Sequence, residues 1–133
     1  MPLPQPLIAA LDILIVDDNA SMRALLTRVL SAAGASDIRT ACDGREALEQ
    51  LAARPARLIL LDQSMPGMSG LELAQHVRAN AEAPGANARI VMLSGHADAA
   101  HLAAARAAGA DEVLVKPVSP RVLLERIAAV FAA

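Results

Sequence analysis

Two hydrophobic rhythms alternate along the chain. Short aliphatic runs stop at polar residues, and stretches with helical spacing follow them. Asp12-Ile13-Leu14-Ile15-Val16 is the first run, and it ends at Asp17-Asp18-Asn19. Such a run reads as a strand buried on both faces. Met22, Leu25, Leu26, Val29 and Leu30 then fall on one helical face, with Asn19 as N-cap and Gly34 as the residue past the C-terminus. Ile38 to Cys42 is a weaker strand. Asp43-Gly44 turns the chain and is placed to cap a helix carrying Ala47, Leu48, Leu51 and Ala52, which Pro55 ends.

The third run, Leu58-Ile59-Leu60-Leu61, stops abruptly at Asp62, and a loop with Pro66-Gly67 follows. Ser69 is placed to cap a helix over about 70–79, with Leu73 and Val77 facing inward. A loop over 80–87 contains Pro84-Gly85. Arg89 to Leu93 is the fourth strand, ending in Ser94-Gly95-His96. An alanine-rich helix over 98–108 closes at Gly109. Asp111 to Val115 is the fifth strand, ending in Lys116-Pro117. Ser119-Pro120 starts a final helix lined by Leu123, Leu124, Ile127, Ala128 and Phe131. Strand and helix thus alternate five times. That predicts an α/β fold: a doubly wound, five-stranded parallel sheet with helices on both faces. Right-handed crossovers place all strand C-termini on one edge, where ligands bind in such sheets. Residues 1–11 form an N-terminal extension, expected as a short extended arm because of its prolines, and residues 12–133 form one domain.

Composition narrows the function classes. Hydrophobic residues make up 55% of the 133 and charged residues 20%, so a packed core is expected. One Phe and no Trp or Tyr argue against base stacking on single-stranded nucleic acid. A net charge of −2 leaves no electrostatic footprint for DNA or RNA. The single cysteine, Cys42, excludes an internal disulfide and a cysteine-based zinc site. No apolar run approaches the roughly 18 residues that span a membrane. The N-terminus lacks the basic region of a signal peptide, so a cytoplasmic location is expected.

The polar residues just past the strands carry the chemistry. They are Asp17 and Asp18, Asp62, Ser94 and Lys116. Three carboxylates gathered on one edge repel one another unless a cation sits among them. An all-oxygen set without His or Cys selects a hard cation, and Mg²⁺ fits because it keeps waters and open positions. Lys116 adds a charge for phosphate, and Ser94 a hydroxyl donor. A carboxylate in that setting can act as a nucleophile toward phosphorus. Phosphoryl transfer needs mainly positioning and charge neutralisation, which this set supplies. Taken singly, Asp17-Asp18-Asn19 also suits a turn and helix cap, and Ser94 and Lys116 suit a turn and a strand end. Asp62 is the harder residue to explain so, because a bare carboxylate after four buried aliphatics needs a reason.

In the order ILIVDDN, LILLDQSMPGMSG, IVMLSG and VLVKP, the chain from Asp12 to Phe131 resembles the receiver domain of response regulators in two-component signalling, in its single-domain, chemotaxis-protein-like form. The resemblance implies a flavodoxin-like (βα)5 fold with strand order 2-1-3-4-5. It implies that Asp62 is the phosphoacceptor. Asp18 and Asp62 would bind Mg²⁺ directly, Asp17 largely through water, and the Ser64 backbone carbonyl would complete the site. Ser94 would move toward the phosphoryl group, Lys116 would contact it, and the Lys116-Pro117 bond would be cis. His96, two residues past Ser94, falls where the family places a residue that governs water access, so His96 and Ser64 are candidates for tuning the acyl phosphate lifetime. Two departures stand out. The fifth strand has Val113 where the family carries an aromatic switch residue, and Gly95 follows Ser94 where alanine is more usual.

The resemblance implies a phosphorylation-activated switch, not an enzyme with turnover: a phosphoacceptor that assists its own phosphorylation and dephosphorylation. Its donor would be a sensor histidine kinase or histidine phosphotransfer protein. With no further domain after Phe131, output would pass through a downstream target protein or onward transfer, with neither nucleic acid nor membrane as partner. Met22, Leu25, Pro117 and Val118 flank the pocket and are expected to dock the donor. The rival readings are an Asp-nucleophile phosphatase or phosphotransferase, and a receiver-like module that is never phosphorylated. The first is weakened by Ser64, where the common hydrolases of that kind carry a second aspartate. His76, His96 and His101 fall on different elements or exposed faces and are expected as surface residues, with His96 the exception because it lies at the pocket mouth.

Overall fold

The computed structural model describes residues 5–79 and 86–132. The expected turn at Pro84-Gly85 lies outside the described residues. A short helix α1 (Gln5–Ala10) precedes five repeats of strand and helix. These are β1 (Asp12–Val16), α2 (Ala20–Ala32), β2 (Asp37–Ala41), α3 (Gly44–Ala53), β3 (Leu58–Asp62), α4 (Gly70–Ala79), β4 (Arg89–Ser94), α5 (Ala99–Ala108), β5 (Glu112–Val115) and α6 (Pro120–Phe131). All neighbouring strands pair in parallel, in the order β2-β1-β3-β4-β5.

Alternation along each strand sorts the core into two layers. Leu14, Val16, Ile59, Leu61, Ile90, Met92 and Val113 face Ala47, Leu73, Ala74, Ala105 and Ala108 of α3, α4 and α5. Ile13, Ile15, Leu58, Leu60, Val91, Leu93 and Leu114 face Leu26 and Leu30 of α2 and Leu123 and Ile127 of α6. The small alanines of the first layer let three helices sit close against the sheet. In the central strand β3 every residue is buried, as its unbroken aliphatic run requires.

The helix ends follow from the sequence. Asn19 accepts from Met22 N–H at 3.0 Å, Asp43 from Glu46 N–H at 2.8 Å and Ser119 from Val122 N–H at 3.1 Å. Gly34 takes a φ of 112° after α2, and the N–H groups of Gly34 and Ala35 return to Ser31 and Leu30. That paired closure needs a left-handed residue, which glycine adopts without a Cβ clash.

The described part of the N-terminal arm is not extended. Its residues Gln5–Ala10 form a helical turn and a half, with Ile8 and Leu11 buried in the α2–α6 layer. Proline tolerates the first helical turn, where its missing N–H would lack a partner anyway. Burying two large aliphatics, at about 1.5–3 kcal/mol each, outweighs the proline signal.

At the edge of the sheet opposite the strand C-termini, Arg78 ties three segments together. Its Nη1 donates to the carbonyls of Ala86 (2.7 Å) and Ala88 (2.6 Å). Its Nη2 donates to Gly109 O (2.9 Å) and Asp111 Oδ2 (3.0 Å). Asp111 Oδ2 also accepts from Ile90 N–H at 2.8 Å.

Candidate functional site

Strand register assembles the site. Val16 pairs with Leu61, so Asp17, one residue on, emerges beside Asp62. Asp62 pairs with Leu93, and Ser94 with Val115, so Ser94 and Lys116 complete the row. One carboxylate oxygen from each of Asp17, Asp18 and Asp62 lies within 4.8 Å of the other two. Asp17 and Asp62 are buried and Asp18 is exposed. Lys116 Nζ sits 3.1 Å from Asp62 Oδ1 and 3.9 Å from Asp17 Oδ2. The Lys116-Pro117 peptide bond is cis.

Asp17 is the strained member. Its Oδ1 accepts from Asn19 N–H at 2.9 Å, while its Oδ2 is buried without a hydrogen-bond partner. Burial pushes its carboxyl above the ordinary aspartate value. The neighbouring charges of Asp62 and Asp18 push the same way, against the Asn19 N–H and Lys116. An orphaned, buried carboxylate oxygen facing two more carboxylates is a place built for a cation.

Ser94 is fully buried at the end of β4. Its hydroxyl is held within its own loop, donating to His96 O and accepting from His96 N–H, both at 3.1 Å. Ser64 is exposed on the loop leaving β3. Val113 is buried in the α3–α5 layer, opposite Met92 of β4, so β5 offers a packed aliphatic there and no ring. Met22 and Val118 pack on the α2–α6 layer, while Leu25 is 42% exposed and Pro117 is also exposed.

Sequence reasoning missed two features. The first is Gly70. A Cβ there would fall on the Asp62 carbonyl oxygen and come within 2.8 Å of Gln63 Cα. Gly70 N–H also donates to Gln63 O at 2.9 Å. The start of α4 therefore rests directly on the backbone that carries Asp62. Helix propensity alone favours Gly70→Ala by about 1 kcal/mol. The clash is with backbone, which cannot turn aside, so a net destabilisation of about 1–3 kcal/mol is expected in urea unfolding. Unchanged or greater stability would show that the two segments separate freely. The glycine was visible in the sequence; the close approach was not.

The second concerns the histidines. His76 is exposed on α4, as expected. His96 and His101 are not independent surface residues: their rings stack with centroids 4.0 Å apart. The turn after Ser94 folds back over the first turn of α5, which spacing along the chain could not show. His101 also lines a groove of ≈ 490 Å³ beside Gln63, Ser64, Met65 and Pro66.

The sequence model for the response regulator receiver domain matches residues 13–128. The chain belongs to the response regulator receiver domain family. It is 36% identical over 117 residues to the DNA-binding response regulator MtrA of Mycolicibacterium paratuberculosis, covering 88% of this chain and 49% of MtrA. It is 35% identical over 119 residues to the chemotaxis protein CheY1 of Helicobacter pylori, covering 86% of this chain and 92% of CheY1. The receiver domain thus spans about half the length of the MtrA-type relatives and nearly all of the CheY type. Among solved structures it is similar to a CheX-CheY-BeF3-Mg²⁺ complex from Borrelia burgdorferi. The TM-score is 0.82 and the identity 28%, over 91% of this chain and 89% of that one. The receiver fold expected from the sequence, with strand order 2-1-3-4-5, is the fold observed. Among the described residues no helix is long and apolar enough to cross a membrane.

Proposed function

We propose that this receiver domain is a phosphorylation switch in which Asp62 accepts a phosphoryl group from a phosphohistidine. The donor is a sensor histidine kinase or a histidine phosphotransfer protein. The observation that carries the reading is the Asp17, Asp18 and Asp62 cluster with Lys116 Nζ 3.1 Å from Asp62.

A single Mg²⁺ fits the donor set, which is all carboxylate and includes the orphaned Asp17 Oδ2. Asp17, Asp18, Asp62 and the Ser64 carbonyl would hold it. When bound it would supply positive charge against the carboxylates and the phosphoryl oxygens. In transfer, a carboxylate oxygen of Asp62 attacks phosphorus, the P–N bond breaks, and the donor imidazole keeps that electron pair. Lys116 turns from the Asp62 carboxylate to the phosphoryl oxygens. The Ser94 hydroxyl leaves the His96 backbone and donates to the same group. The acyl phosphate then persists until water hydrolyses it, so the chain undergoes modification and does not turn over small substrates. Ser64, where a hydrolase would carry its second carboxylate, supports that distinction.

Output passes through the face of α5, β5 and α6, to a target protein or by onward transfer. Val113 supplies no ring for a rotamer switch, so the shift of the Ser94 loop and α5 carries the change. This reading places the protein in the cytoplasm.

The test is intact mass after incubation with Mg²⁺ and acetyl phosphate, with peptide mapping of any adduct. One phosphoryl group on Asp62, lost on chelation of the metal, is the expected result. Steady release of phosphate from phosphate esters would make the protein an enzyme instead. Neither adduct nor turnover would make it an unphosphorylated module.

Two further outcomes follow. Alanine at Met22 and Leu25 is expected to slow transfer from the protein donor several-fold, by about 1 kcal/mol of lost apolar contact, and to spare modification by acetyl phosphate. Equal slowing of both would remove the docking role. Alanine at His96 or Ser64 is expected to change the decay rate of the phosphorylated form, followed by loss of the adduct with time. An unaltered decay would leave neither residue a part in lifetime.

A further inference from the structure

The loop after Ser94 carries a second cluster that the acceptor chemistry leaves unused. His96 lies on that loop and His101 in the first turn of α5. Their rings are 15° from parallel, with centroids 4.0 Å apart. Asp98, the N-cap of α5, lies against His101: Nδ1 is 2.7 Å from Oδ1 and 2.9 Å from Oδ2. One ligand atom from each of the three residues lies within 4.8 Å of the others. His96 and Asp98 are exposed and His101 is half-buried. Among the described residues nothing hydrogen-bonds the His96 ring.

Two imidazoles and a carboxylate form the donor set of a borderline-soft divalent ion. It contrasts with the all-carboxylate set around Asp62, which favours a hard one. Around a tetrahedral ion with bonds of about 2.0 Å, ligand atoms stand roughly 3.3 Å apart. The His101 and Asp98 atoms are already closer than that, and an ion would replace the proton between them. Stacked rings do not aim their lone pairs at one point, so the exposed His96 ring must rotate out of the stack to reach the ion.

We propose that His96, Asp98 and His101 bind a divalent transition-metal ion of the zinc class, and that this ion holds the Ser94 hydroxyl in its resting position. Water fills the fourth position. The coupling follows from two hydrogen bonds: the Ser94 hydroxyl is tied to both the N–H and the C=O of His96. An ion joining the His96 ring to α5 fixes that backbone and opposes the Ser94 movement toward a phosphoryl group. By linkage, whatever the ion takes from phosphorylation, phosphorylation takes from ion affinity. The binding half stands on this cluster alone; the regulatory half rests on Asp62 being the phosphoacceptor.

The experiment is a titration of the full chain with Zn²⁺ in Mg²⁺ buffer at roughly pH 7.5, where free imidazoles are neutral. Binding is followed by calorimetry and by the histidine ring resonances. One Zn²⁺ per chain is expected, moving the His96 and His101 rings and leaving His76 alone. His96→Ala and His101→Ala should each weaken binding by at least about tenfold. His76→Ala and Asp62→Asn should leave it intact. No uptake, equal affinity in the doubly substituted His96→Ala, His101→Ala chain, or loss in Asp62→Asn overturns the binding site. In a second arm, saturating Zn²⁺ should slow modification by acetyl phosphate severalfold in the wild type. In the doubly substituted chain it should not change that chain's own rate. Zn²⁺ bound at the histidines with no change in the wild-type rate overturns the regulatory half. A wild type that accepts no phosphoryl group even without Zn²⁺ overturns the Asp62 reading, and the regulatory half with it, while the titration still decides the binding half.

Discussion

Asp62→Asn is expected to accept no phosphoryl group, from acetyl phosphate or from a phosphohistidine donor. The substitution keeps the shape of the side chain and removes the ionised oxygen that attacks phosphorus. No neighbour is placed to take over fully. Asp17 is buried, with one oxygen accepting from the Asn19 N–H at 2.9 Å and the other facing Lys116 at 3.9 Å. Asp18 is exposed and, among the described residues, has no such ties, so any residual adduct should map there. A fall in rate of more than about a hundredfold corresponds to about 2.7 kcal/mol of activation free energy. Intact mass and peptide mapping read the result directly. An adduct at the wild-type level in Asp62→Asn would move the acceptor to another residue and remove the basis of the proposed switch.

The second large effect concerns stability. Asp17→Asn is expected to stabilise the metal-free protein once pH exceeds the ordinary aspartate value and to abolish its stabilisation by Mg²⁺. The direction follows from proton linkage. In the folded state burial holds the Asp17 carboxyl above its ordinary value of 3.8. As pH rises past that value the unfolded chain loses its proton first, so the native state binds more protons and stability falls until the folded value is passed. Asparagine still accepts from the Asn19 N–H and places no charge beside Asp62. The fall with pH should therefore shrink in the variant. A bound cation offsets the same repulsion in the wild type. At ten times its dissociation constant Mg²⁺ should add about 1.4 kcal/mol. Urea unfolding at several pH values, with and without Mg²⁺, measures both effects. A variant less stable than the wild type in EDTA, or equally responsive to Mg²⁺, would contradict the account.

Much of this was legible in the sequence because the sheet is parallel and buried. Such strands read as unbroken aliphatic runs, and each run here ends at a polar residue, so the edge carrying Asp17, Asp62, Ser94 and Lys116 could be assembled by topology alone. Caps at Asn19, Asp43 and Ser119 were legible because their side chains act within three residues. What periodicity could not show was contact between segments without a shared rhythm. The helix at Gln5–Ala10 forms because Ile8 and Leu11 find a core, a tertiary reason that overrides its prolines. Gly70 against Asp62 is an approach of two backbones. The His96 and His101 pair depends on the path of one short turn.

Arg78 and the Ser94 loop stand at opposite ends of the same strand, and they differ in kind. One end is fastened by a guanidinium shared among four oxygen acceptors from two chain segments. At the other end the Ser94 hydroxyl is bound within its own loop, and the backbone is held to its neighbours by Lys116 N–H to Ser94 O and Gln63 N–H to Leu93 O. If Asp62 is the acceptor, a change made there falls at the loop end of the sheet, away from the end that Arg78 fastens. On that reading the loops along this rim are the parts a partner would sense first.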